Sequence, residues 1–153
     1  AETTQHTRIR AGGTRPGRHF MKKVSTTPES GKWGEERARK MLKESGYKIL
    51  GTRVRVGHRD EIDIVARDGV QLVFVEVKTR KSEVFGRPST AVTSRKRHVL
   101  SRAAVRYIKR LADPGVYFRF DIVEVIGEPG CENPRIRHIR NAFALDKCYT
   151  IHA

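Results

Sequence analysis

The 153-residue chain has two cysteines, one tryptophan and no long apolar run. Cys131 and Cys148 share no motif, which excludes a structural zinc site built on cysteine and fits a reducing cytoplasm. No stretch of about 18 apolar residues occurs, so no membrane-spanning helix is expected. The basic N-terminal residues lack the apolar segment of a secretory signal. His6, His19, His58, His98, His138 and His152 are scattered without ligand spacing and are expected on the surface. No internal repeat is visible, and the length suits one domain with a real core.

Acidic residues are the other scarcity: 17 against 32 Lys and Arg, for a net charge of +15. The excess is local. Residues 1–32 carry seven basic residues against two acids, and 78–110 carry eleven against Glu83 alone, while the remainder sums to zero. A neutral body with one basic segment and one basic tail calls for a polyanion, held by salt-dependent phosphate contacts. Nucleic acid is the expected partner, DNA ahead of RNA, with Arg80, Lys81, Arg95, Lys96, Arg97 and Arg102 as candidate contacts. A cationic surface serving solubility, or a ribosome or membrane contact, is the plainer alternative. Phe85 and Tyr107 are the few aromatics near this segment, which argues against single-strand stacking as the main mode.

Residues 1–32 are rich in Thr, Gly, Pro and Arg without apolar periodicity and read as a disordered basic arm; 33–153 form the domain. A helix is predicted at about 33–45, ended by Gly46. Strands are predicted near 47–56, 61–67, 71–78 and 117–126, with a weaker one at 135–140. A long helix at about 94–111 precedes the fourth strand. A helix, three strands, a helix and further strands make an α/β layer fold with a mixed central β-sheet flanked by helices.

Residues 61–79 concentrate the chemistry. Asp68-Gly69 is a strong hairpin signal, and a two-residue loop there would pair Arg67 with Val70, Asp63 with Phe74 and Glu61 with Glu76. Alternation then puts Glu61, Asp63 and Val65 on one face with Leu72, Phe74, Glu76 and Lys78. Asp63 becomes the diagonal neighbour of Glu76, close enough for both carboxylates to reach one ion. Such carboxylates usually lie on a solvated face, but Leu72–Val77 is apolar on both faces and marks a central strand. All-oxygen ligands favour Mg²⁺ or Mn²⁺ over zinc.

Each helix carries a polar residue in its apolar stripe. Glu35 aligns with Ala38 and Leu42, although a helix start also favours an acid through the dipole. Lys96 aligns with Leu100, Ala103 and Tyr107, while Arg95, Arg102, Arg106 and Lys109 point away. It either meets a phosphate near the site or snorkels from the helix end.

The order Glu35, Asp63, Glu76-Val77-Lys78 resembles the PD-(D/E)XK nuclease superfamily, whose fold is the restriction-endonuclease-like αβββαβ core. More narrowly, Gly31-x-x-Gly34-Glu35, Glu61–Ala66, Val73–Arg80, Phe85-Gly86, Arg119-Phe-Asp121 and Asn141-Ala-Phe143 resemble the YraN-like bacterial family. The resemblance spans about 31–143, with Holliday-junction resolvases as more distant members. It implies Asp63 as the metal-bridging aspartate, Glu76 as the second metal carboxylate, Glu35 as completing the shell, and Lys78 as orienting the attacking water and offsetting charge. Lys96 would be an accessory lysine. The chain departs from the pattern with Ile62 where the superfamily often has proline, and with Asp60 and Arg53 where YraN-like proteins usually have glycine and asparagine. Asp60 would add an acid beside the site. The expected activity is metal-dependent hydrolysis of phosphodiester bonds in DNA, branched or structured DNA included. A nucleic-acid-binding protein that keeps the fold without turnover is the alternative. Paired cuts across a junction would call for a homodimer, though no interface is legible. Asp121 is left as either a support for the site or a structural partner of an arginine.

Overall fold

In the computed structural model, which describes residues 27–82, 92–113 and 115–149, Thr27 opens the first helix. Its side-chain oxygen accepts the Ser30 N–H at 3.2 Å, Pro28 takes the first helical position, and Glu29 lies in the first turn. Together these satisfy a terminal donor and match the dipole. Helix α1 (Pro28–Glu44) therefore begins five residues before the expected 33. The capping sequence is hidden in a stretch whose composition reads as arm. The rest of that arm, 1–26, lies outside the described residues, as do Phe85, Gly86 and Arg87.

Strands β1 (Lys48–Val56), β2 (Asp60–Asp68) and β3 (Gln71–Arg80) follow as an antiparallel meander. Helix α2 (Ser94–Arg110) then crosses over to β4 (Phe118–Ile126), which runs parallel to β3, and β5 (Arg135–Phe143) returns antiparallel to β4. The sheet order is β1-β2-β3-β4-β5, the mixed sheet the sequence predicts, and it is consistent with a restriction-endonuclease-like core. The weak strand at 135–140 is a full nine residues. Among the described residues no helix is long and apolar enough to cross a membrane.

The two sheet faces bury separate cores. Leu100, Ala103, Ala104 and Ile108 of α2 pack on Ile62, Val65, Leu72, Phe74, Phe120, Ile122 and Phe143. Ala38 and Leu42 of α1 pack on Ile64, Ala66, Val73, Val75, Val123 and Val125. This double coverage explains why β3 is apolar on both faces. Helix α1 approaches β3 so closely that a Cβ at Gly34 would overlap the Thr79 hydroxyl.

On the α1 face, Asp121 anchors a buried polar network. Its carboxylate accepts from Arg119 (2.9 and 3.2 Å), from the Asn141 N–H (2.9 Å), and lies 2.8 Å from His138 Nε2. Arg119 also reaches Asp68, Gln71 and the Tyr47 hydroxyl. Burial alone would raise the Asp121 pKa, but His138, Arg119 and the Asn141 N–H outweigh it and hold the carboxylate below its ordinary range. Asp121 is thus a structural partner of Arg119. His138, expected on the surface, is only 15% exposed, because the network draws it in.

Gly34→Ala is expected to cost about 1–3 kcal/mol through overpacking against Thr79. Urea unfolding checks this, and Thr79→Ala in the same chain should recover part of the loss.

Candidate active site

The β2–β3 turn uses Gly69 and Val70, one residue later than expected, so Asp68 pairs with Gln71 and Ile64 with Val75. Asp68 stays in the strand, where its carboxylate holds Arg119 at 3.0 Å. Gly69 takes φ 58° at the first loop position, where a type II′ turn needs glycine. The pairing slides by one residue on each strand, so the faces of the paired residues are kept. Glu61 does not oppose Glu76; it pairs with Arg55 across β1, with an ion contact of 3.7 Å.

Regular alternation fails at Asp63. Ile62 and Val65 enter the α2-side core, whereas Ile64 enters the α1-side core. Opposite it, Arg53 takes φ 47° between the pairs Thr52–Ile64 and Val54–Ile62. An arginine is costly in this left-handed conformation, and asparagine tolerates it better. The β2–β3 ladder closes its last pair at Ile64–Val75. Beyond it the Asp63 carboxylate takes over as acceptor, receiving the Val77 N–H at 2.8 Å. A side chain thus replaces a strand carbonyl, and this fixes Asp63 beside Glu76.

The surroundings of Asp63 are electrostatically unbalanced. Burial pushes its pKa up to about 8, and the Glu76 carboxylate adds to the rise. The Val77 N–H opposes it, Glu35 raises it further, and Lys96 lowers it. Glu76 is 11% exposed and holds the Lys96 ammonium at 3.2 Å, so the lysine at the start of α2 does reach this site. Lys78 is half-buried; burial lowers its pKa while Glu76 pulls it back up. Glu35 is turned onto Arg53, whose Nε lies 2.7 Å from its carboxylate. Lys32, Glu35, Glu36, Arg39, Thr52 and Arg53 line the surface cavity there. Arg53 in turn feels Glu35, Glu61 and Asp63, which raise its pKa, the hydrogen bond it donates to Glu35 first. Asp63, Glu76 and Lys96 therefore converge, with Glu35 at the margin under an arginine that sequence reasoning overlooked. The one sequence signal for Arg53 is its replacement of the usual asparagine.

The other candidates divide. Arg95 and Arg97 are exposed at the start of α2. Arg80 contacts Glu124 at 3.4 Å and Lys81 contacts Glu128 at 3.2 Å. Arg102 turns inward, donating to both oxygens of Asp60 at 2.7 and 2.8 Å, with Arg106 at 3.5 Å. Asp60 is buried in this latch between β2 and α2, so it adds no acid to the site. The apolar pattern could not reveal a buried anion opposite these arginines.

The profile of Uncharacterised protein family UPF0102 matches residues 34–125, which include Glu35, Asp63, Glu76, Lys78 and Lys96. The UPF0102 protein of Symbiobacterium thermophilum is 46% identical over 114 residues, covering 74% of this chain and 94% of that protein. Those of Caldicellulosiruptor saccharolyticus and Chlorobaculum parvum are each 44% identical, over 75% and 73% of this chain and 97% and 89% of their own lengths. The chain belongs to the UPF0102 family.

The raised pKa of Asp63 carries a sign. Between its ordinary value of 3.8 and about 8 the folded chain holds a proton that the unfolded chain releases. Stability from this group therefore falls as pH rises across that window. Asp63→Asn keeps an acceptor for Val77 and removes the titration. In chelator, urea unfolding from pH 5 to 9 should show the variant overtaking the native chain as pH rises.

Proposed function

We propose that this UPF0102 chain is a cytoplasmic, metal-dependent endonuclease acting on DNA, with branched or structured DNA as its substrate class. The observation that carries the reading is the Asp63 carboxylate held beside Glu76, where burial and the neighbouring carboxylate disfavour its charged form and added positive charge would restore it. Lys78 follows on the same strand. The donor set fits a hard divalent cation: Asp63 and Glu76 would hold it, with Glu35 joining on release from Arg53. All-oxygen ligands suit Mg²⁺ or Mn²⁺. When bound, such an ion supplies polarisation of the scissile phosphate and a water of lowered pKa.

The chain's own residues do the rest. The Val77 N–H holds Asp63 in one orientation, so its second oxygen is directed rather than free to rotate. Lys78 orients the attacking water and offsets charge on the phosphate. Lys96, now neutralising Glu76, becomes available to phosphate when a cation takes over that task. Arg95 and Arg97, exposed beside it at the positive end of α2, extend the contact along the backbone. Paired cuts across a junction would require two copies related by a two-fold axis.

One observation favours a second reading, a nucleic-acid-binding protein without turnover. Arg53 on Glu35 and Lys96 on Glu76 already supply internal counter-charges, as a site that no longer takes a metal would need.

Cleavage of labelled linear, flapped and four-way DNA with Mn²⁺, Mg²⁺ or EDTA separates the two. Metal-dependent cutting is expected, reduced about 10²–10⁴-fold by Asp63→Ala or Lys78→Ala, the scale of losing one positioned catalytic group. Salt-dependent binding without cutting, by a folded native chain, supports the second reading. Arg53→Gln, which frees Glu35, is expected to raise the apparent Mn²⁺ affinity several-fold, read by calorimetry or by the metal dependence of cutting.

A further inference from the structure

We propose that His98, Asp146 and Cys148 form a second metal site, one that takes a zinc-class divalent ion and fastens the segment after β5 to α2. The inference is independent of the nuclease reading. One donor atom from each of the three residues lies within 4.8 Å of those of the other two, and they form the one such group among the described residues. Sequence spacing conceals it, because His98 lies on α2, 48 residues before Asp146. The scattered histidines and unpaired cysteines gave the contrary expectation.

The donors are already oriented. The Asp146 N–H donates to Ser101 Oγ at 2.9 Å, and Ser101 is fully buried on α2, so the segment is pinned to the helix. The Cys148 N–H donates to Asp146 Oδ1 at 3.0 Å, forming a turn that brings the thiol round to the carboxylate. His98 Nδ1 lies 3.1 Å from Asp146 Oδ2, and Cys148 Sγ lies within 4.8 Å of the donor atoms of both. In one tautomer the imidazole thus points a proton at this carboxylate with the thiol beside it, and a cation would take the proton's place. On the far side of the ring, the Tyr149 hydroxyl lies 3.0 Å from His98 Nε2. A metal-bound imidazole needs such a partner to fix its tautomer.

Donor chemistry sets the ion class. Thiolate and imidazole select zinc and its congeners, in contrast to the all-oxygen set at Asp63 and Glu76. Binding forms a metal–sulfur bond and releases the Cys148 proton to solvent. With Nδ1 on the ion, the imidazole carries its proton on Nε2, which donates to the Tyr149 hydroxyl. One thiolate and one carboxylate cancel the charge of a divalent ion. Three protein ligands leave a further position for water.

The test uses the untagged full chain, stripped of metal, titrated with Zn²⁺ against a chromogenic chelator and separately with Co²⁺. Expected are one zinc per chain and a thiolate-to-cobalt charge-transfer band in the near ultraviolet. Cys148→Ser, at an exposed position that should not affect folding, removes the band and weakens zinc binding on the order of 10–100-fold. Cys131→Ser leaves both readouts unchanged. Absence of the band in the native chain, or zinc binding unaffected by Cys148→Ser, overturns the proposal.

Discussion

The hydrogen bond from the Val77 N–H to Asp63 is the constraint on which the site geometry depends. A strand pair normally satisfies its donors with carbonyls, and an enclosed N–H left without a partner costs about 1–3 kcal/mol. At Asp63 the β2 backbone turns off the regular ladder, and the carboxylate fills the gap. The residue that re-aims the strand therefore also satisfies the donor it uncovers. Its position beside Glu76 is consequently backbone-determined, which is a far tighter specification than a rotamer on a regular strand. The enclosure that fixes it also raises its pKa, so geometric order and electrostatic imbalance share one origin.

Much of the fold was legible because β3 is apolar on both faces and therefore needs a helix on each side. The order of elements and the amphipathic stripe of α2 then leave few layer arrangements. The grouping of Glu76 with Lys78 followed from alternation, whereas helical spacing left Lys96 open between the site and a snorkelling helix end, and the structure sets it on Glu76. The turn was placed one residue early because Asp-Gly is ordinarily the loop pair, while here Arg119 holds Asp68 in the strand. That contact joins residues 51 positions apart, and no local signal encodes it. The same is true of Asp60 with Arg102, and of Asp121 with His138. Arg53 was missed because its importance lies in a positive φ and a cross-element ion pair, neither of which hydropathy registers.

Charge in this molecule is more internal than the total of +15 suggests. Arg102 and Arg106 are committed to Asp60, and Arg119 to Asp68 and Asp121. These latches replace missing apolar contacts between elements with paired, hydrogen-bonded charges, acceptable when each buried group is satisfied. Among the described residues no buried side-chain polar atom lacks a partner. The basic residues left near the solvent at the start of α2 are therefore a smaller and more directed set than composition indicates.

Arg53 differs from those latches. A latch cation faces an acid that is buried and fixed, and removing it leaves an uncompensated charge. Arg53 is 43% exposed with a backbone conformation unsuited to its side-chain type, and Lys96 is also 43% exposed. Arg53 faces the partly exposed Glu35, and surface pairs of this kind contribute little, with a median of about 0–1 kcal/mol, whereas Lys96 faces the buried Glu76. A divalent ion offers two charges without the side-chain entropy of holding two long chains in place. On energetic grounds Arg53 is an exchangeable counter-charge rather than a structural one, whereas Lys96 is held by a buried acid much as the latch arginines are.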